Sequence, residues 1–278
     1  MTPEDLRRDT AAVLGDSAAA RWLVETATGI DDWARDRDMA VTERMVAHLD
    51  AMVARYRTGE PLQYVLGHWG FRHLDLSIDR RVLIPRPETE ALVDLAREIL
   101  AHRQPRRVVD LGCGSGAIGL ALAAELPLDD TAVVLSDIDP AAIDVARANL
   151  AGIGRPARNV QIVSGHWCEP LHQLDPFDVI VSNPPYIAVD DPELDHSVRD
   201  YEPSIALFGG VDGLDAYRAI VADAPTCLTP DGWLIVEIGR SQGAAVHSLC
   251  EMHGFVDVEV LVDIAGHDRF VCGRYPAG

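Results

Sequence analysis

After Pro87 the chain alternates between apolar runs of strand length and segments with helical spacing. The spacing predicts helices over 88–102, 115–125, 140–151, 214–228 and 242–253. Between them, residues 107–111, 132–136, 160–163, 177–182 and 232–238 read as strands, and 256–262 and 269–272 as a closing pair joined by a turn containing Gly. An α/β order of this kind builds a mainly parallel sheet with helices on both faces. Ligands of such sheets bind beyond the carboxyl ends of the strands. The loops at those ends are therefore where function is sought.

Residues up to about 57 read as helical. Thr2 or Asp5 can open a first helix, Ser17 a second and Thr42 a third, in which Met45, Val46, Leu49, Met52, Val53 and Tyr56 recur at helical spacing. Gly59-Glu60-Pro61 stops it. From Gln63 the pattern changes: Tyr64-Val65-Leu66, Phe71 and the run 74–78 alternate as strands do, with Gly67 and Gly70 as breaks. The expected organisation is a helical domain over 1–61, a β-hairpin linker over 62–84 and an α/β domain over 85–278.

The formal net charge of -20 argues against a surface that tracks phosphates, which needs clustered Lys and Arg. No apolar stretch approaches the roughly 20 residues of a membrane span. The opening Met1-Thr2-Pro3-Glu4-Asp5 lacks the basic and apolar parts of a signal peptide. The five cysteines are scattered with no Cys-x-x-Cys pair, and read as reduced thiols without a zinc site. The expectation is a cytoplasmic monomer that binds neither membrane nor stable nucleic acid.

Two of the strand ends carry chemistry. Asn183-Pro184-Pro185-Tyr186 follows the strand 177–182. The prolines stiffen the turn and hold Asn183 extended, an Asn side chain can accept from and donate to a planar amide, and Tyr186 adds a flat face. An ordinary Pro-rich turn is the plainer reading. Asp110-Leu111-Gly112-Cys113-Gly114-Ser115-Gly116 links the first strand of the α/β region to a helix, and its glycines let backbone approach a ligand closely. Gly114-x-Gly116-x-x-Gly119 also fits a dinucleotide fingerprint. Asp110 suits a cationic ligand better than a pyrophosphate. Asp137, after the second strand, could hold both ribose hydroxyls of either NAD or adenosylmethionine. Asp139 precedes Pro140 and reads as a helix cap.

Together these parts suit methyl transfer to an amide. Hydrogen bonds from both amide hydrogens, to the side-chain oxygen of Asn183 and the carbonyl of Pro184, would polarise the nitrogen and aim it. Tyr186 would stack on the flat group and exclude water. No general base is required, because the proton can leave after transfer.

The chain resembles the HemK/PrmC-type protein-(glutamine-N5) methyltransferases. The resemblance runs from about Gly59 to Arg274 and is carried by the two loops above, by Gly59-Glu60-Pro61-Leu62-Gln63-Tyr64, by Leu83-Ile84-Pro85-Arg86-Pro87-Glu88-Thr89-Glu90, by the segment 202–214 with its Gly209-Gly210-Val211-Asp212-Gly213-Leu214, and by Glu237-Ile238-Gly239. It implies a Rossmann-like methyltransferase domain using S-adenosyl-L-methionine, with S-adenosyl-L-homocysteine as product. The implied substrate is the Gln of the Gly-Gly-Gln motif in peptide chain release factors, and the small N-terminal domain would help to recognise it. It implies cofactor contacts at Gly112, Cys113, Gly114, Ser115, Gly116, Asp137, Trp167 and Asn183. The substrate Gln would lie at Asn183, Pro184, Pro185 and Tyr186, with Asn183, Pro184 and Tyr186 as the catalytic set. Trp167 would sit beside the adenine, unless it is a core tryptophan. Cys113 stands where the family often has Thr, and His73 where it usually has Gly. Other activities compatible with the residues are adenine-N6 methylation of nucleic acid, glutamine methylation of a ribosomal protein, or a scaffold that binds adenosylmethionine without turnover. Arg86 could meet the cofactor carboxylate or pair with Glu88 or Glu90. Arg199, Asp200 and Glu202 belong to a lid or to a solvated face. Glu237 is expected to bond to a helix N-terminus.

Overall fold

A computed structural model describes residues 1–277. The chain divides into two compact units, 1–69 and 70–278. The first is helical: α1 (Pro3–Leu14), α2 (Ser17–Thr28), the short α3 (Trp33–Asp36), α4 (Glu43–Tyr56) and α5 (Leu62–Leu66). Thr2 opens α1 with a reciprocal bond to Asp5, which satisfies two free donors at once. Asp16, rather than Ser17, caps α2 by accepting from Ala18 and Ala19. Thr42 caps α4 as expected. Leu6, Leu23, Val24, Leu49, Met52 and Val65 form the core of this unit.

Two differences from the sequence reading lie at the join. Tyr64-Val65-Leu66 belongs to helix α5, not to a strand. Arg55 donates to the carbonyls of Tyr64 at 2.9 Å and Val65 at 3.3 Å, and Gly67 closes the turn in the left-handed region. The hairpin is accordingly shorter than 62–84: its strands are β1 (His68–Phe71) and β2 (Leu74–Ser77).

The second unit is built on a seven-stranded sheet of order β5-β4-β3-β6-β7-β9-β8. Its strands are β3 (Arg106–Leu111), β4 (Thr131–Asp137), β5 (Val160–Ser164), β6 (Phe177–Ser182), β7 (Leu228–Glu237), β8 (Val256–Val262) and β9 (Asp268–Arg274). The helices that precede and separate them are α6 (Glu90–Leu100), α7 (Ala117–Glu125), α8 (Pro140–Gly152), α9 (His196–Tyr201), α10 (Asp215–Asp223) and α11 (Gly243–Met252). Strands β3 to β7 are parallel, while β9 pairs antiparallel with both β7 and β8. β3 and β6 are buried along nearly their whole length, which explains their unbroken apolar runs. This is the Rossmann-like α/β fold expected from the alternation. The chain runs outward from β3 through β4 to β5 on one side, then returns to β6 on the other. A crevice opens at such a reversal.

Candidate active site

Register sets the site. Leu111 of β3 pairs with Ser136 of β4 and Ser182 of β6, and Asp137 pairs with Ser164 of β5. The loops after these strands therefore start at one level along the carboxyl edge. Across that edge, in order, come the turn holding Trp167, then Asp137, the glycine loop and Asn183, with Glu237 ending β7 beyond. Ser182 donates from Oγ to the Leu111 carbonyl at 2.8 Å, locking the two central strand ends together.

These loops border a cavity of about 530 Å³, a size usual for small-molecule sites. Of the residues expected at a cofactor, Gly112, Cys113, Gly114, Ser115, Asp137, Trp167 and Asn183 line it, and Gly116 does not. Of the expected substrate segment, Asn183 and Pro185 line it, while Pro184 and Tyr186 stand outside its wall. Thr89, Arg86 and Phe208 line it as well. Thr89 carried no separate assignment in the sequence. Its signal was its place in the segment Leu83 to Glu90 that carries the family resemblance.

Asp137 accepts from the backbone N–H of Gly114 at 2.8 Å and of Asp139 at 2.9 Å, one bond to each oxygen. Each oxygen keeps a lone pair for a further donor, such as a hydroxyl. Burial pushes its carboxyl above the ordinary range, so a donor arriving from the cavity is welcome. Asp139 caps α8 by accepting from Ala141 at 2.8 Å, and also borders the cavity. Trp167 adopts φ 43°, unusual for a bulky residue, and its ring comes within 3.3 Å of where a Cβ on Gly112 would stand. A side chain there would push the ring back by a few tenths of an ångström, and φ 68° at Gly112 itself favours glycine. Cys113 is buried, and burial with Asp110 and Asp137 nearby pushes its thiol up, so it serves as a packed neutral group. Asp110 is not on the cavity wall. It is 1% exposed and accepts from the Gly119 N–H at 2.9 Å.

The Asn183 to Tyr186 turn is braced from behind. The Gln242 amide donates to the Tyr186 carbonyl at 3.0 Å and the Gly213 carbonyl at 3.2 Å. Gly209 and Gly213 press against the turn, where added Cβ atoms would stand 2.5 Å from the Pro185 carbonyl and 2.3 Å from that of Tyr186. Asn183 donates from Nδ2 to Thr89 Oγ1 at 3.2 Å, and Thr89 donates to Glu237 at 2.6 Å. The Tyr186 hydroxyl reaches the other oxygen of Glu237 at 3.4 Å. The expected bond from Glu237 to a helix start thus goes to the Thr89 hydroxyl, at the entry to α6.

Arg86 pairs with Glu202 at 2.5 Å, not with Glu88 or Glu90. Glu202 is buried and also accepts from the Ile84 N–H at 3.1 Å, so it fastens the segment after α9 to the cavity wall. Arg199 and Asp200 are exposed.

Residues 89–197 match a methyltransferase small domain, and residues 9–67 a PrmC N-terminal domain. The release factor glutamine methyltransferase of Xylella fastidiosa is 43% identical over 86% of this chain and 85% of its own. That of Agrobacterium fabrum is 38% identical over 96% of this chain and 93% of its own. In fold alone, a methyltransferase from Pyrococcus furiosus, 16% identical, superimposes with a TM-score of 0.56 over 85% of this chain and the whole of that one. With identity at this level along nearly the full length of both chains, the protein belongs to the release factor glutamine methyltransferase family.

Proposed function

We propose that this protein transfers a methyl group from S-adenosyl-L-methionine to the side-chain N5 of the Gln in the Gly-Gly-Gln motif of peptide chain release factors, leaving S-adenosyl-L-homocysteine. The observation that carries this reading is the meeting, on one cavity wall, of the glycine loop and Asp137 with the proline-stiffened Asn183 turn. Family membership supports the choice of substrate.

The residues fit the cofactor. Asp137 has lone pairs for the two ribose hydroxyls, the loop Gly112 to Gly116 offers backbone at close range, and the Trp167 ring offers a flat face for the adenine. When bound, that cofactor supplies a methyl carbon on a sulfonium, which the amide nitrogen takes as the carbon–sulfur bond breaks with its electron pair left on sulfur. Asn183 Oδ1 and the Pro184 carbonyl accept the two amide hydrogens and raise the electron density on nitrogen. Pro185 shapes the wall beside them, and the ring of Tyr186, packed on the core behind the cavity, holds the turn in place. The surplus proton on nitrogen passes to water after transfer, so no side chain of shifted pKa is asked to remove it.

We assign the helical unit, 1–69, to release-factor recognition and 70–278 to catalysis, in a cytoplasmic, monomeric enzyme. Among the described residues no helix is long and apolar enough to cross a membrane. The test is mass spectrometry of release-factor peptides after incubation with the protein and S-adenosylmethionine. A gain of one methyl on the Gly-Gly-Gln glutamine is expected. An unmodified glutamine, with methyl found in nucleic acid or a ribosomal protein instead, overturns the assignment.

A further inference from the structure

We propose that Thr89 and Glu237 are positioning residues that decide which end of the Asn183 amide faces the substrate, an inference that rests on the amide-methylation reading above. A primary amide has a donor end and an acceptor end, and they are nearly the same shape. Only one orientation can accept a hydrogen from a substrate amide. Something must therefore select it.

The selection follows from counting hydrogens. Thr89 has one hydroxyl hydrogen, and it goes to Glu237 Oε2 at 2.6 Å. Toward Asn183 Thr89 can then only accept, so Asn183 must turn its NH2 to Thr89, as it does at 3.2 Å. The acceptor Oδ1 is left for the cavity. Glu237 anchors this chain from the end of β7, where it is 1% exposed, and it does not border the cavity. Its other oxygen meets the Tyr186 hydroxyl at 3.4 Å, and its backbone carbonyl accepts from Tyr217 of α10 at 2.8 Å.

The chain has a second state. Burial pushes the Glu237 carboxyl up to about 7, with Glu88 adding to the rise and Thr89, Arg269 of β9 and Tyr186 opposing it. A protonated Glu237 can donate to Thr89. The Thr89 hydrogen is then released to point at Asn183, and the amide turns over. Its NH2 would meet the NH2 of the substrate, donor against donor. Turnover should fall as pH drops through this range, although neither the substrate amide nor Asn183 titrates there.

The test uses the full chain with S-adenosylmethionine and a release factor, read as single-turnover rate and cofactor affinity. Failure of the wild type to modify the glutamine would defeat the functional reading itself. With wild-type turnover in hand, Thr89→Val is expected to lower kcat by about 30-fold while cofactor affinity stays within about twofold. Thr89→Ser should return to within about threefold of wild type, because it restores the hydroxyl. Glu237→Gln carries the same donor and acceptor pair as the protonated carboxyl, so it should be slow at every pH and lack the acid limb expected of the wild type near pH 7. Equal rates for Thr89→Val and wild type overturn the inference, as does an acid limb that survives in Glu237→Gln. Should the Val variant fail to bind cofactor, the pH profiles of wild type and Glu237→Gln decide, and a wild type without the limb also counts against it.

Discussion

Asp110 shows how burial changes what a single residue can do. Its Oδ1 has no hydrogen-bond partner, and desolvation, with Asp137 nearby, pushes its carboxyl up to about 7. An unfolded chain releases this proton near the ordinary value of 3.8. Between those values the folded form holds a proton that the unfolded form has lost, so stability falls as pH rises, and the loss is complete above about 7. Asp110→Asn removes this dependence. Its stability relative to wild type should grow by roughly 2 kcal/mol between about pH 5.5 and 7.5 and then level off, as followed by urea unfolding without cofactor. The sequence reading gave Asp110 to a cationic ligand because it stands beside the glycine loop. Which way its side chain points is set by the packing of α7 on β3, and no local pattern encodes that. Asn183 was legible for the opposite reason: two prolines fix its backbone whatever surrounds it. Asn183→Ala is expected to leave cofactor affinity within about threefold and to cut single-turnover rate by at least about 100-fold. An unchanged rate would end the amide-clamp mechanism.

Elements were legible where periodicity ran long and misread where it was short. The parallel strands and their helices follow the apolar pattern to within a few residues, except that α10 ends at Asp223 and not at the expected 228. Tyr64-Val65-Leu66 is too brief for its period to be counted, and its β-rich composition pointed the wrong way. Its carbonyls are held by Arg55, nine and ten residues earlier, and its end is closed by Gly67, features that no short window of sequence displays. β7 starts at Leu228, ahead of the expected 232, because Pro230 and Gly232 look like turn residues although the strand passes through them. The segment 209–214 reads as a loop, and its purpose appears only against its neighbour. Gly213 has φ 75° and approaches the Tyr186 carbonyl too closely for a side chain. Gly213→Ala should therefore cost at least about 2 kcal/mol in thermal or urea unfolding. It should also lower turnover more than cofactor affinity, since the displaced element is the substrate turn.

Over the whole molecule, the sequence placed the glycine loop and the Asn183 turn at strand ends but could not make them adjacent. Adjacency comes from sheet order, with β6 returning to the flank of β3 after two strands have been laid on the other side. Every residue bordering the cavity lies at or after Phe71. A chain beginning at His68, which keeps both hairpin strands, is thus expected to bind S-adenosylmethionine within about threefold of the full chain, as calorimetry would measure. Release-factor methylation by that shorter chain should show a raised KM if the helical unit recognises the partner. Trp167 offers a way to watch this directly. Of the five tryptophans, three (Trp22, Trp33 and Trp69) lie in the first unit and Trp233 is on a strand away from the cavity. The indole held over Gly112 is the tryptophan that borders the cleft, so intrinsic emission should report a nucleoside's arrival there without any label.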